Sequence, residues 1–259
     1  MSVLDRFRLD GKRFFVTGGS RGLGREMALA MAEAGADAVL AGRDGASLES
    51  TAVQIRASGR QCWTVIADLG HPEGAEQACR AALAHGPIDI LVNNIGGRRI
   101  NVPLQDEPLE VWREMMDLNL TSTFQCTRLV GGEMVRRGRG GRVINTASIS
   151  GMIANRGIGG RHYETAKAAV IHFTRAAAAD WAPHGITVNA ILPGMFMTEP
   201  NQRWASENPA MIAASRTQIP MGDFGQPEDL GPLAVYLASD ASRYMTGASL
   251  VIDGGYTLW

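Results

Sequence analysis

Apolar positions along the chain form two alternating kinds of run, and their alternation predicts the fold. Short runs rich in β-branched and apolar residues predict strands at 13–17, 37–41, 62–66, 88–92, 142–146, 187–191 and 249–253. Longer, alanine-rich runs predict helices that begin near residues 22, 44, 72, 108, 162 and 227. Because the strands are apolar on both faces and alternate with helices, we expect a parallel sheet covered on both sides. With right-handed crossovers this is a doubly wound α/β fold, and we predict a single domain over residues 1–259.

Residues 194–226 interrupt this alternation. They separate the sixth predicted strand from the last predicted helix, are rich in methionine and contain Trp204. Connections of this length are uncommon inside a domain and usually belong to a binding site. We therefore predict a substrate lid at about 194–226.

The composition excludes several classes of function. The net charge is -1, with 45% hydrophobic and 20% charged residues, which gives no reason to expect a nucleic acid or an anionic membrane as partner. No apolar run reaches the length of about 18 residues that a membrane span needs, and the charged N-terminus lacks a secretory apolar segment. Cys62, Cys79 and Cys126 show no metal-binding spacing, so we expect reduced thiols, no metal site and a cytoplasmic location.

The turn after the first predicted strand has a sequence that suits a phosphate group. In "TGGSRGLG", residues 17–24, three glycines (Gly18, Gly22 and Gly24) leave room for a dinucleotide pyrophosphate at the N-terminus of the following helix. A glycine-rich turn alone is a weak signal, because structural turns also need glycine. Its position between the first strand and the first helix favours nucleotide binding and a Rossmann-type sheet.

Two further features allow more than one interpretation when each is taken alone. "HYETAKAAVIHF", residues 162–173, places Tyr163 and Lys167 one helical turn apart on the same face, a spacing that also occurs by chance. Asp68 follows the third predicted strand, where its carboxylate could bind an adenine amino group or cap the next helix.

Seven motifs in one order resemble those of the short-chain dehydrogenase/reductase family. They are "TGGSRGLG" at 17–24, "NNIG" at 93–96, "DLNL" around Asn119, "NTASISG" around Ser148, "YETAK" at 163–167, "NAILPGMFMT" at 189–198 and "IDGG" at 252–255. The resemblance covers nearly the whole chain. It implies an oxidoreductase that transfers a hydride between a nicotinamide cofactor and a carbonyl or secondary alcohol.

The resemblance also implies four catalytic roles. Tyr163 is the general acid in reduction and the general base in oxidation, and Lys167 lowers the pKa of the phenol from its usual value of about 10 and contacts the cofactor ribose. Ser148 hydrogen-bonds the substrate oxygen, and Asn119 holds a water that passes protons from the lysine to solvent. The cofactor-binding residues that the family pattern implies are Gly18, Ser20, Arg21, Gly22, Leu23, Gly24, Arg43, Asp68, Leu69, Asn94, Gly96, Tyr163, Lys167, Pro193, Gly194 and Thr198.

The end of the second strand predicts a preference for NADP(H) over NAD(H). Relatives that bind NAD usually have an acidic residue there, whereas this chain has Gly42 followed by Arg43. Arg21, in the glycine loop, is expected to face the same 2′-phosphate. We expect Asp44 to cap the next helix instead of opposing the phosphate.

The chain departs from the family pattern at two places. Ile95 replaces the usual alanine, and we expect a local shift there without loss of binding. Ser148 and Tyr163 are separated by fourteen residues, two more than the family usually has. Ser150 would restore the usual spacing, but "NTASISG" matches the family with Ser148 in the active position, so we predict a lengthened loop beside the substrate.

The substrate is predicted less sharply. The stretch after "NNIG" resembles gluconate 5-dehydrogenases, and four arginines could pair with a substrate carboxylate or could be surface residues; they are Arg98, Arg99, Arg156 and Arg161. A 3-oxoacyl-carrier-protein reductase fits the general motifs equally well, and four residues of the lid favour a more apolar ketone; they are Met195, Phe196, Met197 and Trp204. A nucleotide-binding regulator without catalysis is a third possibility, which the presence of all four catalytic residue types disfavours.

We also predict a homotetramer. The chain ends with the apolar stretch "ASLVIDGGYTLW", and in the family this end and the long helices around 108–137 and 162–182 pack across two-fold axes.

Overall fold

Within the described residues, seven parallel strands form one central sheet, in the order β3-β2-β1-β4-β5-β6-β7. The computed structural model describes residues 2–258, apart from the side chains of Trp204 and Met211. The strands are β1 Arg13–Thr17, β2 Asp37–Gly42, β3 Cys62–Ile66, β4 Ile90–Asn93, β5 Gly141–Thr146, β6 Ile186–Pro193 and β7 Ser249–Ile252. The predicted doubly wound parallel sheet is confirmed, with strand ends that differ from the predicted ones by at most two residues.

Ten α-helices lie within the described part of the chain. They are α1 Gly22–Glu33, α2 Gly45–Ala57, α3 Pro72–Ala84, α4 Leu109–Met116, α5 Ser122–Cys126, α6 Gly132–Arg137, α7 Arg161–Trp181, α8 Glu199–Glu207, α9 Pro209–Arg216 and α10 Gly231–Ala238. The last predicted helix begins with a short 3₁₀ turn, Pro227–Leu230, before α10. Across the described residues no helix is long and apolar enough to cross a bilayer.

The helices cover the two faces of the sheet and make two apolar layers. On one face, α1, α2 and α10 pack against side chains such as Phe14 and Leu40. On the other face, α3, α5 and α7 pack against Phe15 and Val39. Adjacent strand residues, such as Phe14 and Phe15, point to opposite faces and both are fully buried, which explains why the strands are apolar throughout.

The segment predicted as one helix from 108 contains two π-turns. These turns, Asp117–Thr121 and Thr127–Gly131, separate α4, α5 and α6. Side chains compete for backbone carbonyls at the first turn: Ser122 Oγ donates to the Leu118 carbonyl at 2.7 Å and Asn119 Nδ2 donates to the Met115 carbonyl at 3.0 Å. Such turns concentrate at functional sites.

The predicted lid is folded and does not form an extended loop. It contains α8 and α9, and its two ends meet where Phe196 and Gly225 form a parallel bridge. A side chain at Gly225 would lie 2.7 Å from the Phe196 ring, so glycine makes room for this ring in the core. Phe196, one of the four lid residues taken to favour an apolar ketone, is buried in the apolar layer with α1 and α10. The side chain of Trp204, another of these four lid residues, lies outside the described residues, as does Trp259.

Candidate active site

The predicted catalytic and cofactor-binding residues meet at the carboxyl edge of the sheet. β1, β4, β5 and β6 are neighbours and parallel, so the segments that follow them share one edge. These segments are the glycine loop 17–24, residues 94–97, the turn at Ser148 and the start of the lid. Ligands bind at this edge of open α/β sheets.

The side chains of Ser148, Tyr163 and Lys167 lie together at this edge. Lys167 is 3% exposed, its Nζ donates to the Thr146 carbonyl at 2.8 Å, and it lies 5.8 Å from the centroid of the Tyr163 ring. The Ser148 hydroxyl lies beside the Tyr163 phenol and accepts a hydrogen bond from the Ser150 amide at 3.1 Å. The hydroxyl of Ser150 accepts a hydrogen bond from Asn155 at 2.9 Å, so of the two serines it is Ser148 that neighbours the phenol.

Burial controls the ionisation of both groups. Burial raises the pKa of Tyr163, while the Ser148 hydroxyl and the Arg98 charge act in the opposite direction. Burial also lowers the pKa of Lys167 to about 8. The sequence predicts a lowered pKa for Tyr163, but burial disfavours the phenolate by more than Ser148 and Arg98 favour it, so the pKa lies above its usual value.

Asn119 occupies the first π-turn and is fully buried. Its Oδ1 accepts from the Gly97 amide at 2.9 Å, and its Nδ2 donates to the Gly97 carbonyl at 3.1 Å. A side chain at Gly96 would lie 2.7 Å from Asn119 Oδ1 and 3.0 Å from Lys167 Nζ. The structure therefore brings Asn119, Gly96 and Lys167 to one place; the water-holding role of Asn119 stays a prediction.

The glycine loop has the backbone that a pyrophosphate site needs. Gly18 and Gly22 have φ angles of +74° and +55°, which side chains rarely tolerate. A side chain at Gly24 would overlap the Gly18 carbonyl. The first residue before α1, Arg21, makes no side-chain cap, so the first amides of α1 can bind an anion. These features fit a dinucleotide.

Asn94 connects the glycine loop to the neighbouring strand. Its Nδ2 donates to the carbonyls of Thr17 and Gly18, each at 3.2 Å, and its amide donates to Thr17 Oγ1 at 2.9 Å. Ile95 packs on the apolar layer that contains Leu91, and its side chain extends toward Gly18. The bulkier residue is thus accommodated on the protein side of the loop. Thr198 lies across from Gly22, and Leu69, Pro193 and Gly194 also lie at this edge.

Both arginines predicted to bind a 2′-phosphate lie beside carboxylates. Arg21 is 3.2 Å from Asp44, and Arg43 is 3.9 Å from Asp68. Asp44 caps α2 by accepting from the Ser47 amide, as predicted. Asp68 does not cap α3, which begins after His71; instead it accepts from the Gly70 amide at 3.0 Å. A cleft of about 440 Å³, lined by Ser20, Arg21, Gly22, Ser47 and Met197 among others, adjoins the loop.

Of the four arginines that could pair with a substrate carboxylate or lie at the surface, two pair with a carboxylate of the chain. Arg98 lies 3.3 Å from Glu164, and Arg161 lies 2.7 Å from it. Burial acts to raise the pKa of Glu164, but hydrogen bonds from Asn155 and Arg161 outweigh it and hold that pKa below its usual value. Arg99 and Arg156 are exposed.

Glu164 and the His162–Glu107 pair are the parts of the site that the sequence analysis missed. His162 Nδ1 is hydrogen-bonded to Glu107 Oε1, and both side chains are almost completely buried. The available signal for Glu164 was its position in the first turn of α7, next to Tyr163, where a carboxylate stabilises a helix. For His162 no local signal existed, because its partner is 55 positions away.

Comparison with known proteins agrees with this geometry. Residues 18–257 match the family described as enoyl-(acyl carrier protein) reductase. The chain is 38% identical to galactitol 2-dehydrogenase (L-tagatose-forming) of Cereibacter sphaeroides over 98% of both chains, and 37% identical to gluconate 5-dehydrogenase of Gluconobacter oxydans over 100% of this chain and 99% of the relative. A crystal structure of a short-chain type dehydrogenase/reductase from Mycobacterium marinum superimposes with a TM-score of 0.92 at 41% identity and covers 99% of each chain. The chain therefore belongs to the short-chain dehydrogenase/reductase family of oxidoreductases.

Proposed function

We propose that this protein is an NADP(H)-dependent dehydrogenase that interconverts a secondary alcohol and a carbonyl of a polyol or sugar acid. The observation that carries the proposal is that Ser148, Tyr163 and Lys167 adjoin a glycine loop at one sheet edge. When bound, the nicotinamide cofactor supplies or accepts the hydride. Galactitol 2-dehydrogenase and gluconate 5-dehydrogenase, at 38% and 37% identity, support a polyhydroxylated substrate.

The chain's own residues handle the proton. In reduction the Tyr163 hydroxyl donates its proton to the oxygen that becomes the alcohol, and in oxidation the phenolate accepts it. The Ser148 hydroxyl donates a hydrogen bond to the same oxygen. Lys167, whose pKa burial lowers to about 8, can exchange protons near neutral pH and can return a proton to the phenolate. Gly96 leaves room for a group beside Lys167 and Asn119, in the position proposed for the relay to solvent.

The preference for NADP(H) rests on Arg21 and Arg43. Both side chains flank the end of β2, where Gly42 presents no carboxylate. Asp44 and Asp68 are already neighbours of these arginines, so a 2′-phosphate would compete with two carboxylates for them. These ion pairs hold the two guanidinium groups near the end of β2, and a guanidinium binds a phosphate through charge-assisted hydrogen bonds.

The mutation Tyr163→Phe tests the catalytic assignment. We expect kcat to fall by roughly 100- to 10,000-fold, because general acid–base catalysis is lost while the ring remains. Cofactor affinity, measured by quenching of protein fluorescence, should stay close to that of the wild type. A variant that keeps more than about a tenth of the rate would contradict the assignment.

A substrate panel tests the substrate class. NADP⁺ reduction with galactitol and gluconate, and NADPH oxidation with a ketogluconate, an acetoacetyl thioester and aryl ketones, should show the highest kcat/KM for a polyol or sugar acid. The thioester as best substrate would favour the 3-oxoacyl-carrier-protein reductase alternative. Cofactor binding with no Tyr163-dependent turnover on any of them would favour a nucleotide-binding regulator.

We further propose a homotetramer in the cytoplasm. Cys62, Cys79 and Cys126 are free and buried, which suits a reducing compartment. Apolar side chains that remain exposed on α5 and near the C-terminus, such as Phe124 and Leu258, support subunit contacts there.

A further inference from the structure

The guanidinium group of Arg98 lies over the ring of Tyr163. Its Cζ is 4.8 Å from the ring centroid, within the range of a cation–π contact. The Arg98 side chain is only 16% exposed, so water screens this contact weakly. Arg98 belongs to the segment after β4 and Tyr163 to α7, so the contact joins two separate parts of the chain.

Three hydrogen bonds fix the orientation of Arg98. Nη1 donates to the carbonyls of Gly159 at 2.7 Å and Gly160 at 3.4 Å, and Nη2 donates to Glu164 at 3.3 Å. These acceptors belong to the lengthened loop and to the first turn of α7. The planar fork of arginine can bind acceptors on two sides while one face lies against the ring.

The charges around Tyr163 do not cancel. Arg98 and Arg161 share one carboxylate, that of Glu164, so the three groups together keep one positive charge. Lys167 is a further ionisable group near the ring, 5.8 Å from its centroid. His162, next to Tyr163 in the chain, faces Glu107.

We propose that Arg98 is a positioning residue that orients the Tyr163 ring and favours its phenolate, and that Glu164 limits this effect. The inference rests on the proposed role of Tyr163. It also assigns a role to the lengthened loop. The loop carbonyls hold the Arg98 guanidinium, so that this group is not available to bind a substrate carboxylate. The opposing effects of burial and of the Arg98 charge on the pKa of Tyr163 agree with this role.

The pH dependence of alcohol oxidation tests the proposal with two substitutions of opposite sign. Loss of the cation in Arg98→Gln should move the ascending limb of kcat/KM to higher pH by about one unit. Loss of the anion in Glu164→Gln leaves Arg98 uncompensated, so the same limb should move to lower pH. Arg98→Lys keeps the positive charge but not the planar guanidinium, so its limb should lie between those of the wild type and Arg98→Gln. Limbs that stay in place, or that move in the same direction in both variants, would overturn the proposal.

A matched control and a readout without turnover separate this proposal from the proposed function. Arg139→Gln removes an exposed arginine in the turn before β5, at the opposite edge of the sheet, and should leave the limb at the wild-type pH. The near-ultraviolet absorbance of phenolate can also be titrated directly, with the Tyr163→Phe titration subtracted to isolate this one of the four tyrosines. Opposite shifts in that titration would support the role of Arg98 even if no tested alcohol were a substrate, and equal titrations in wild type and both variants would overturn it.

Discussion

Arg43 shows how a single side chain can set cofactor preference. We expect Arg43→Ala to reduce the ratio of kcat/KM for NADPH over NADH by roughly ten- to a hundredfold, because a hydrogen bond to a charged group contributes about 1.5–3 kcal/mol. Asp68→Asn should raise the same ratio, since it removes the carboxylate 3.9 Å from Arg43.

Arg139→Ala is the matched control for this experiment. Arg139 is exposed and lies in the turn before β5, at the opposite edge of the sheet, so the cofactor ratio should not change. Equal use of both cofactors by the wild type, or an unchanged ratio in Arg43→Ala, would refute the assignment.

Lys167 is a catalytic residue that should destabilise the fold. Burial lowers its pKa from 10.5 to about 8, so the folded protein holds the ammonium less readily than the unfolded chain does. This pKa shift corresponds to a destabilisation of about 3 kcal/mol at neutral pH, which a neutral side chain would remove. Replacement of Lys167 also removes its hydrogen bond to the Thr146 carbonyl, which costs about 1 kcal/mol. We therefore expect Lys167→Met to raise the melting temperature by a few degrees at neutral pH while it abolishes turnover and weakens cofactor binding.

The difference in stability between Lys167→Met and the wild type should decrease as the pH rises. Between the folded pKa of about 8 and the unfolded value of 10.5, the unfolded chain binds more protons, so the Lys167 contribution to stability rises with pH. The advantage of Lys167→Met should be full below pH 8 and vanish toward pH 10.5. Lys12→Met, at the only other lysine, which is exposed, should show no such trend. A Lys167→Met variant that melts below the wild type at neutral pH would show that burial of the ammonium is not the controlling effect.

Among individual residues, the sequence predicted contacts between residues that are close together along the chain. Tyr163 and Lys167 are one helical turn apart, so any helix brings them together. The pairing of Arg98 with Glu164 joins positions 66 residues apart and depends on how two loops meet. The sequence therefore could not show that Arg98 would be held away from solvent.

Among the elements, the second π-turn and α7 make an unusually close contact. A side chain at Gly131 would overlap the Trp181 ring, whereas one at Gly132 would meet open space. Both glycines are helical in φ and ψ. Gly131→Ala should therefore destabilise the protein by about 1–3 kcal/mol through overpacking, and Gly132→Ala should stabilise it by about 0.5–1 kcal/mol.

Denaturant unfolding of the two variants measures this difference, with each serving as control for the other. Because the two glycines are adjacent in the chain and both helical, the change in helix propensity is the same for both. Equal stabilities would mean that α7 moves away from the π-turn without resistance.

The strands were predictable because their two-sided apolar runs are confined to the sheet interior. The helix predicted to begin near 108 is present, but its two π-turns were not predicted. At the first of these turns the Ser122 hydroxyl donates to a backbone carbonyl, and helical periodicity does not report such a bond. The sequence marked the lid as an interruption but did not predict its two short helices. Its apolar residues are divided between the core and the surface, so they show no clear helical periodicity.

For the whole molecule, the exposed aromatic surface on α5 and α7 bears on assembly. Phe124 is 45% exposed and makes an edge contact with Phe173, with ring centroids 6.0 Å apart. These helices lie in the segments that we predict to cross two-fold axes. Light scattering at micromolar concentration should give the mass of a tetramer for the wild type, and Phe124→Glu should lower it, because a charge at an apolar contact is strongly disfavoured.

Val53→Glu provides the control for Phe124→Glu. Val53 is 54% exposed on α2, which lies on the opposite face of the sheet from α5. This variant should keep the wild-type mass. A monomeric wild type would rule out the proposed assembly.

Two side-chain contacts join the segment after β4 to α7, and they limit how substrate specificity can be transferred between relatives by loop exchange. Arg98 reaches Glu164, and Glu107 reaches His162, so residues 97–107 and the loop 155–160 are held against the same helix turn. A 155–160 loop grafted alone from another dehydrogenase would meet an arginine whose carbonyl acceptors it was not built to supply. Transfer of specificity into or out of this chain therefore requires both segments to move together, as one module made from two distant stretches of sequence.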